Sequence, residues 1–193
     1  MKRTLPLLLL LVLTGVQARA EIIDRIVAVA NNRVVTLSDV RRAAVVRTIL
    51  GHPTIEQKQL VRELVDSLLI EEQIAQFFGV EVTESQVDEV MKSVADLRGL
   101  PVNVVREAVR RRLRADQFFE LRFRQFLRAT DAEIADYYNK VFLPAAQKKG
   151  GPIPTLEQVT DMIRESVIQE KAAHEVDSWL ETIRRRSDVE IFD

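Results

Sequence analysis

The 193-residue sequence contains no cysteine and only two histidines, His52 and His174. Without cysteine there is no disulfide, no thiolate nucleophile and no cysteine-ligated zinc or iron–sulfur site. The nucleophile elbow G-x-S-x-G, the phosphate-binding loop and the zinc motif H-E-x-x-H are also missing from the sequence. His174-Glu175 begins like the zinc motif but has no second histidine. We therefore predict no metal, no cofactor and no catalytic residue.

The sequence also lacks an excess of charge of either sign. It has 28 Lys and Arg against 29 Asp and Glu, for a net charge of -1. Because nucleic-acid-binding domains usually carry a basic excess, we predict no nucleic-acid partner. Arginines nonetheless concentrate at positions 106–128, where they either bind phosphate or acidic peptides, or form a solvated helix face. These are Arg106, Arg110, Arg111, Arg112, Arg114, Arg122, Arg124 and Arg128.

The first twenty residues have the three parts of a secretory signal. Lys2 and Arg3 precede the apolar run Leu5–Leu13, and Ala18-Arg19-Ala20 is a small-x-small cleavage site. Even when extended to Val16, the apolar run is about a dozen residues long, which is too short for the roughly 20 needed to span a membrane. We therefore expect cleavage after Ala20, an exported mature chain without a membrane span, and a periplasmic location.

The two ends of the chain after the signal are prone to form strands. Ile22–Ala30 is rich in Ile and Val, and Asn31-Asn32 separates it from Arg33–Val35. Because Asn tolerates positive φ, we predict a tight turn between two antiparallel strands. Val189–Phe192 is a further short β-prone run, and a lone terminal strand must pair with another strand. We expect it to return to the N-terminal hairpin and close one small antiparallel sheet.

The chain between these strands has the apolar periodicity and caps of helices. Thr83-Glu84-Ser85-Gln86 is a capping box, and Thr130-Asp131 is a second start signal. The fold class predicted is mainly α with the small sheet, in a single unit over residues 21–193. The unit has an N-terminal part 21–146, a linker 147–155 and a C-terminal helix and strand 156–193. A first helix is predicted from a cap at Thr36 or Ser38 to Leu50. The other predicted helices are Thr54–Phe78, Thr83 to Leu97, Val102 to Leu127 with or without a break near Leu113 to Ala115, Thr130 to Val141, and Thr155–Arg186.

Four of the eight phenylalanines lie within nine residues, Phe118, Phe119, Phe123 and Phe126. On a continuous helix the last three share one face, which predicts a core position for them. Phe118 lies about 100° away and is predicted to face solvent. We expect it to contact extended polypeptide segments, flanked by Arg114 and Arg122 at four positions on either side. Met91 is a weaker candidate for the same role.

Five segments together resemble SurA-type periplasmic chaperones. One of them, Leu156–Ile191, is similar to the family's C-terminal helix and terminal strand. Arg25–Val40 is similar to the hairpin and first helix start of that family, and Leu64–Leu69 is similar to its L-x-D-x-L-I helix. Gly79–Glu84 and Thr130–Tyr138 resemble the family's later G-I-x-V-S/T-D/E step and T/S-D-x-E-I-x-x-Y-Y segment. The resemblance covers essentially all of residues 21–193. It implies an ATP-independent holdase for unfolded exported or outer-membrane proteins.

The sequence departs from that family at one place. The resemblance implies a parvulin domain of roughly 90 residues between Tyr138 and Leu156, but only residues 139–155 lie there, with neither histidine among them. We therefore expect the chaperone core alone, without enzymatic activity. Two alternatives stay open: a scaffold or subunit of a cell-envelope complex, and a parvulin-related prolyl isomerase. The partners expected are unfolded or extended polypeptides.

Overall fold

A three-stranded antiparallel sheet joins the two ends of the chain in the computed structural model, which describes residues 24–192. The strands are β1 (Ile26–Ala30), β2 (Arg33–Thr36) and β3 (Val189–Ile191), in the order β2-β1-β3. Both pairings are antiparallel, so the predicted return of the chain's end to the N-terminal hairpin is confirmed. The predicted signal and its cleavage site lie outside the described residues.

Asn31 closes the sheet at one end. Its φ of 52° places it in the left-handed region, as the predicted tight turn requires. Its N–H donates to the carbonyl of Asp188 at 2.7 Å, and its side-chain Oδ1 accepts from the N–H of Asp188 at 3.0 Å. Its Nδ2 donates to Glu72 Oε2 at 2.7 Å. One asparagine thus connects the β1–β2 turn to the residue before β3 and to a helix beneath the sheet.

Helices make up most of the described chain, which confirms the predicted mainly α fold class. Three of the helices begin with a capping box at Thr36, Thr83 and Thr130. Each threonine side chain accepts a hydrogen bond from the backbone N–H three residues later, and the side chain of that later residue accepts one from the threonine's backbone N–H. The helices are α1 (Leu37–Ile49), α2 (Gln57–Ala75), α3 (Glu84–Met91), α4 (Val102–Arg122), α5 (Asp131–Tyr137), α6 (Leu143–Lys149) and α7 (Leu156–Arg186). A 3₁₀ turn spans Arg124–Phe126, and a π-helical turn spans Tyr138–Phe142.

The boundaries predicted at the ends of α3 and α6 are wrong. Helix α3 ends at Met91 instead of reaching Leu97, because the next residues form tighter i→i+3 hydrogen bonds and the hydroxyl of Ser93 donates to the Val90 carbonyl. Helix α6 runs to Lys149, so the non-helical connection begins at Gly150 rather than at residue 147. Gly150 has a φ of 73°, which explains why glycine ends this helix.

Two separate clusters of buried side chains lie along α7. The sheet-side cluster includes residues from the sheet, α1, α2 and the end of α7, which contributes Ile183. The α5-side cluster consists of Ile134, Ile163 and Val167, surrounded by partly buried residues that include Tyr137 and Tyr138. Helix α7 has 31 residues and is therefore about 46 Å long at 1.5 Å per residue. It connects the two clusters.

Candidate functional site

An aromatic cluster joins the ends of α2 and α4 to Trp179 in the last third of α7. Phe118 of α4 lies at its centre and is only 1% exposed. Its ring centroid is 5.1 Å from that of Phe77, 5.5 Å from that of Trp179 and 5.6 Å from that of Phe119. The Phe123 ring packs against the rings of Phe118, Phe119 and Trp179, with centroid distances of 5.6 to 6.5 Å. These edge-on and tilted contacts are the favoured arrangements of aromatic pairs, so the cluster fixes how three helices meet.

The prediction that Phe118 faces solvent is wrong. It assumed one continuous helix to Leu127 with a single buried face. Helix α4 ends at Arg122, and Phe123 has a φ of -120° and a ψ of -63°, which turns the chain out of the helix. The side of α4 that carries Phe118 meets both α2 and α7, while Phe126 leaves the helix and is 72% exposed. Phe118 is therefore buried and Phe126 is exposed, which is the reverse of the prediction.

The other candidate residues lie in different environments. The Arg122 guanidinium lies 5.4 Å from the Phe123 ring centroid, 5.6 Å from that of Trp179 and 5.8 Å from that of Phe118. It covers the cluster from the solvent side through cation–π contacts. Arg114 is half-buried on α4, eight residues before Arg122, and makes no cation–π contact with the described rings. Met91 is half-buried at the end of α3, on another helix.

Two exposed phenylalanines lie next to members of the aromatic cluster. Phe78 is 97% exposed and directly follows Phe77, whereas Phe126 lies three residues after Phe123. The turn that carries Phe78 is fixed by Gly79, with a φ of 90°, and by a hydrogen bond of 3.4 Å from Gln117 Nε2 to the Gly79 carbonyl. The sequence signal for Phe78 is the adjacent pair Phe77-Phe78 at a helix end. Because successive side chains at a helix end point in different directions, one ring of this pair is expected to be more exposed than the other.

Acidic partners neutralise much of the basic run on α4. Arg106 contacts Glu84 at 2.7 Å and Asp88 at 2.5 Å, and Arg110 contacts Glu84 at 2.6 Å. The hydrogen bonds from both arginines lower the pKa of Glu84. Arg124 contacts Glu120 and also Glu165 of α7. These contacts favour a solvated helix face that ties α4 to α3 and α7 over a site for phosphate.

Two open grooves complete the candidate surface. A groove of about 400 Å³ lies between α1, α3 and α4, where Leu50, Val94 and Leu113 line an apolar wall. Near it, the Arg112 Nη1 lies 2.6 Å from His52 Nε2. A second groove, of about 460 Å³, lies between α2, the end of α7 and β3. Both are open to solvent along their length and are large enough for several amino-acid side chains.

Within residues 24–192, no three His, Asp or Glu side chains lie close enough together to hold a metal ion. None of the helices in that range is both long and apolar enough to cross a membrane. No protein-family model and no curated protein sequence matches this chain. The described surface offers exposed aromatic side chains, two grooves and the edge of β3, all of which can make non-covalent contacts.

Proposed function

We propose that the protein is an ATP-independent periplasmic chaperone that holds unfolded exported or outer-membrane proteins. The observation that carries this proposal is the pair of exposed phenylalanines beside the aromatic cluster, Phe78 at 97% and Phe126 at 72% exposure. Exposed apolar patches on a protein surface often mark interaction sites. The resemblance of the segments Arg25–Val40 and Thr130–Tyr138 to SurA-type chaperones supports the same function.

The surroundings of these rings suit weak and reversible binding. Phe77 and Phe123 are held by ring contacts in the aromatic cluster, so little backbone conformational entropy is lost when the nearby Phe78 and Phe126 contact a partner. Burying an aromatic side chain contributes about 1.5–3 kcal/mol, which gives weak affinity from one contact and useful affinity from several. Release then needs no energy source, in keeping with a compartment that has no ATP.

The region between Tyr138 and Leu156 supports a chaperone without isomerase activity. Here the chain forms the π-helical turn, α6 and a short connection from Gly150 to Thr155. The hydroxyl of Tyr138 donates to the carbonyl of Pro154 at 2.9 Å and joins the two ends of this region. This local structure occupies the place where the resemblance implies a parvulin domain, so we propose that prolyl isomerisation is not accelerated.

The test is suppression of the aggregation of a chemically unfolded outer-membrane β-barrel protein diluted into buffer with the purified protein. The double variant Phe78→Ser/Phe126→Ser should need about tenfold more protein for the same effect. The matched control is Val141→Ser/Ile153→Ser, which also removes two exposed apolar side chains, at 45% and 41% exposure, but far from the aromatic cluster in sequence. It should behave like the unaltered protein.

Two results would contradict the proposal. One is equal suppression by the double variant and its control, because contact through Phe78 and Phe126 would then not matter. The other is no suppression by the unaltered protein together with recovery of a single stoichiometric partner from the cell envelope. That result would favour the scaffold alternative.

A further inference from the structure

We propose that the outer edge of β3 binds an extended client segment as a fourth strand, with a basic client residue opposite Glu190 and apolar residues opposite Val189 and Ile191. The proposal rests on the chaperone function proposed above and adds where, and in which conformation, a client is held. It also specifies the client's chemistry as an apolar–basic–apolar pattern.

The hydrogen-bond pattern of β3 leaves its outer edge unpaired. Asn31 donates to the Asp188 carbonyl at 2.7 Å, and Phe192 donates to the Val27 carbonyl at 2.9 Å. In an antiparallel pair, alternate residues direct both backbone groups at the same neighbour, so residues 188, 190 and 192 face β1. The N–H and C=O groups of Val189 and Ile191 therefore point away from β1. No described residue outside the sheet hydrogen-bonds to them.

The groove of about 460 Å³ lies along this edge. Val189 and Ile191 line one side of it, and Val65, Asp66 and Arg184 line the other sides from α2 and α7. Because β1 pairs Ala28 with Ile191 and Ala30 with Val189, these four side chains share the sheet face that packs on α2. A strand added to β3 would direct alternate side chains into the groove. Those opposite Val189 and Ile191 would enter it, which requires apolar residues there.

The charges of the groove are mostly satisfied within the protein. Asp66 accepts from Arg184 Nε at 2.6 Å, and these hydrogen bonds raise the pKa of Arg184. Glu63 pairs with Arg47 at 2.8 Å. Glu190, by contrast, is exposed at the centre of β3 and makes no ion pair with any residue from 24 to 192. The register places the middle residue of an added strand directly opposite it, so a basic residue is favoured at that position.

The same charges disfavour two of the antiparallel registers in which a second copy of this chain could occupy the edge. Antiparallel pairing of β3 with itself would place Glu190 opposite Glu190 when Val189 pairs with Ile191. Pairing Val189 with Val189 would place Glu190 opposite Asp188. Like charges directly opposite each other destabilise a strand pair. The edge is therefore better matched to a different polypeptide that carries the complementary charge.

The experiment measures binding of two capped heptapeptides to the full-length protein by fluorescence anisotropy. One probe has the sequence Thr-Thr-Val-Lys-Val-Thr-Thr, and the other has Glu in place of Lys. We expect the Lys probe to bind about two- to fivefold more tightly, and Glu190→Lys to reverse that preference. Glu175→Lys, which makes the same charge change at an exposed position of α7, is the matched control and should leave the preference unchanged.

A second variant tests the backbone contact. Ile191→Pro removes an N–H that points away from β1 and leaves the β1 bonds of residues 188 and 192 in place. We expect both probes to lose affinity. Hydrogen exchange on the unaltered protein gives an independent readout, because the Lys probe should protect the amides of Val189 and Ile191. Absence of that protection, or a probe preference that Glu190→Lys does not change, would overturn the proposal.

These outcomes separate the proposal from the chaperone function. If the protein suppresses aggregation but the affinities of the two probes do not depend on Glu190, the edge proposal fails and the chaperone function stands. If the probes bind and reverse as expected but no aggregation is suppressed, the strand-binding edge stands and the chaperone function fails. If β3 is instead covered by a second copy, size-exclusion chromatography will show a dimer that Ile191→Pro dissociates, and the proposal is wrong.

Discussion

The two ends of α7 pack into cores of very different size. Near its C-terminus, Ile183 joins nine other buried residues, drawn from the sheet, α1 and α2. Near its N-terminus, Ile163 and Val167 share a buried cluster only with Ile134. Because apolar burial is the main source of stability, one helix passes from a strongly held region into a weakly held one. The aromatic cluster around Phe118 lies between the two.

Polar contacts between α5, the 3₁₀ turn and α7 supplement the small α5-side cluster. Lys171 of α7 contacts Glu133 of α5 at 2.7 Å and donates to the Arg128 carbonyl at 2.8 Å. Arg124 contacts Glu165. Ion pairs at the surface contribute about 0–1 kcal/mol each, which is less than one buried aliphatic side chain. We therefore expect the α5 end to open before the sheet-side core does.

The largest expected effect on stability comes from the aromatic cluster, which lies between the two regions. Phe118→Ala removes the central ring of the aromatic cluster, which is 1% exposed and contacts α2 and α7. It should lower the free energy of unfolding by about 3–5 kcal/mol in urea denaturation. Phe126→Ala is the matched control, since that ring is 72% exposed, and its effect should stay within about 0.5 kcal/mol. Equal losses for both variants would contradict the central role of Phe118.

The next prediction makes the same substitution at both ends of α7. Ile163 is 0% exposed and Ile183 is 8% exposed, so each change to Ala removes a comparable buried side chain, at a cost of about 2–5 kcal/mol. In hydrogen-exchange mass spectrometry, Ile163→Ala should speed exchange mainly in α5 and the first turns of α7. Ile183→Ala should speed exchange in β1, α2 and the rest of the fold.

A different exchange pattern would remove the distinction between the two ends. If Ile163→Ala also speeds exchange in β1 and α2, the whole chain unfolds as one cooperative unit. The small cluster would then be as strongly coupled to the sheet as Ile183 is.

The sequence predicted the features of this fold that depend on neighbouring residues. The turn at Asn31 and the cap at Thr83 are local, because they depend on side chains that reach only a few residues along the chain. The pairing of β3 followed because a lone strand needs a partner. The positions of Phe118 and Phe126 did not follow, because they depend on where α4 ends and on which helices pack around it.

The candidate binding surface shows the same limit. The adjacent pair Phe77-Phe78 indicates that one ring is exposed, but which one depends on contact with Phe118 of another helix. Likewise, the capping box of Thr130 and Glu133 is visible in the sequence, whereas the ion pair of Glu133 with Lys171 joins residues 38 positions apart. Long-range contacts of this kind have no signature in a single sequence.

The smallest expected effect is a pH dependence confined to the weaker end. The hydrogen bond from Lys171, followed by those from the backbone and hydroxyl of Thr130, lowers the pKa of Glu133 from 4.5 to about 2. A carboxyl group whose pKa is lower in the folded state stabilises the fold while it is ionised. Its contribution is therefore complete above the unfolded-state pKa of 4.5 and disappears as the pH falls through about 2.

The substitution Glu133→Gln tests this directly, because the amide oxygen can still accept the capping hydrogen bond from Thr130 but carries no charge for Lys171. We expect the variant to have a lower free energy of unfolding than the unaltered protein near neutral pH. The difference should shrink between pH 4.5 and about 2 in urea denaturation followed by circular dichroism. Glu175→Gln, at an exposed position of α7 with no ion pair among residues 24–192, should show no such convergence. A Glu133→Gln difference that stays constant down to pH 2 would mean that the charge of Glu133 does not help to hold α5 against α7.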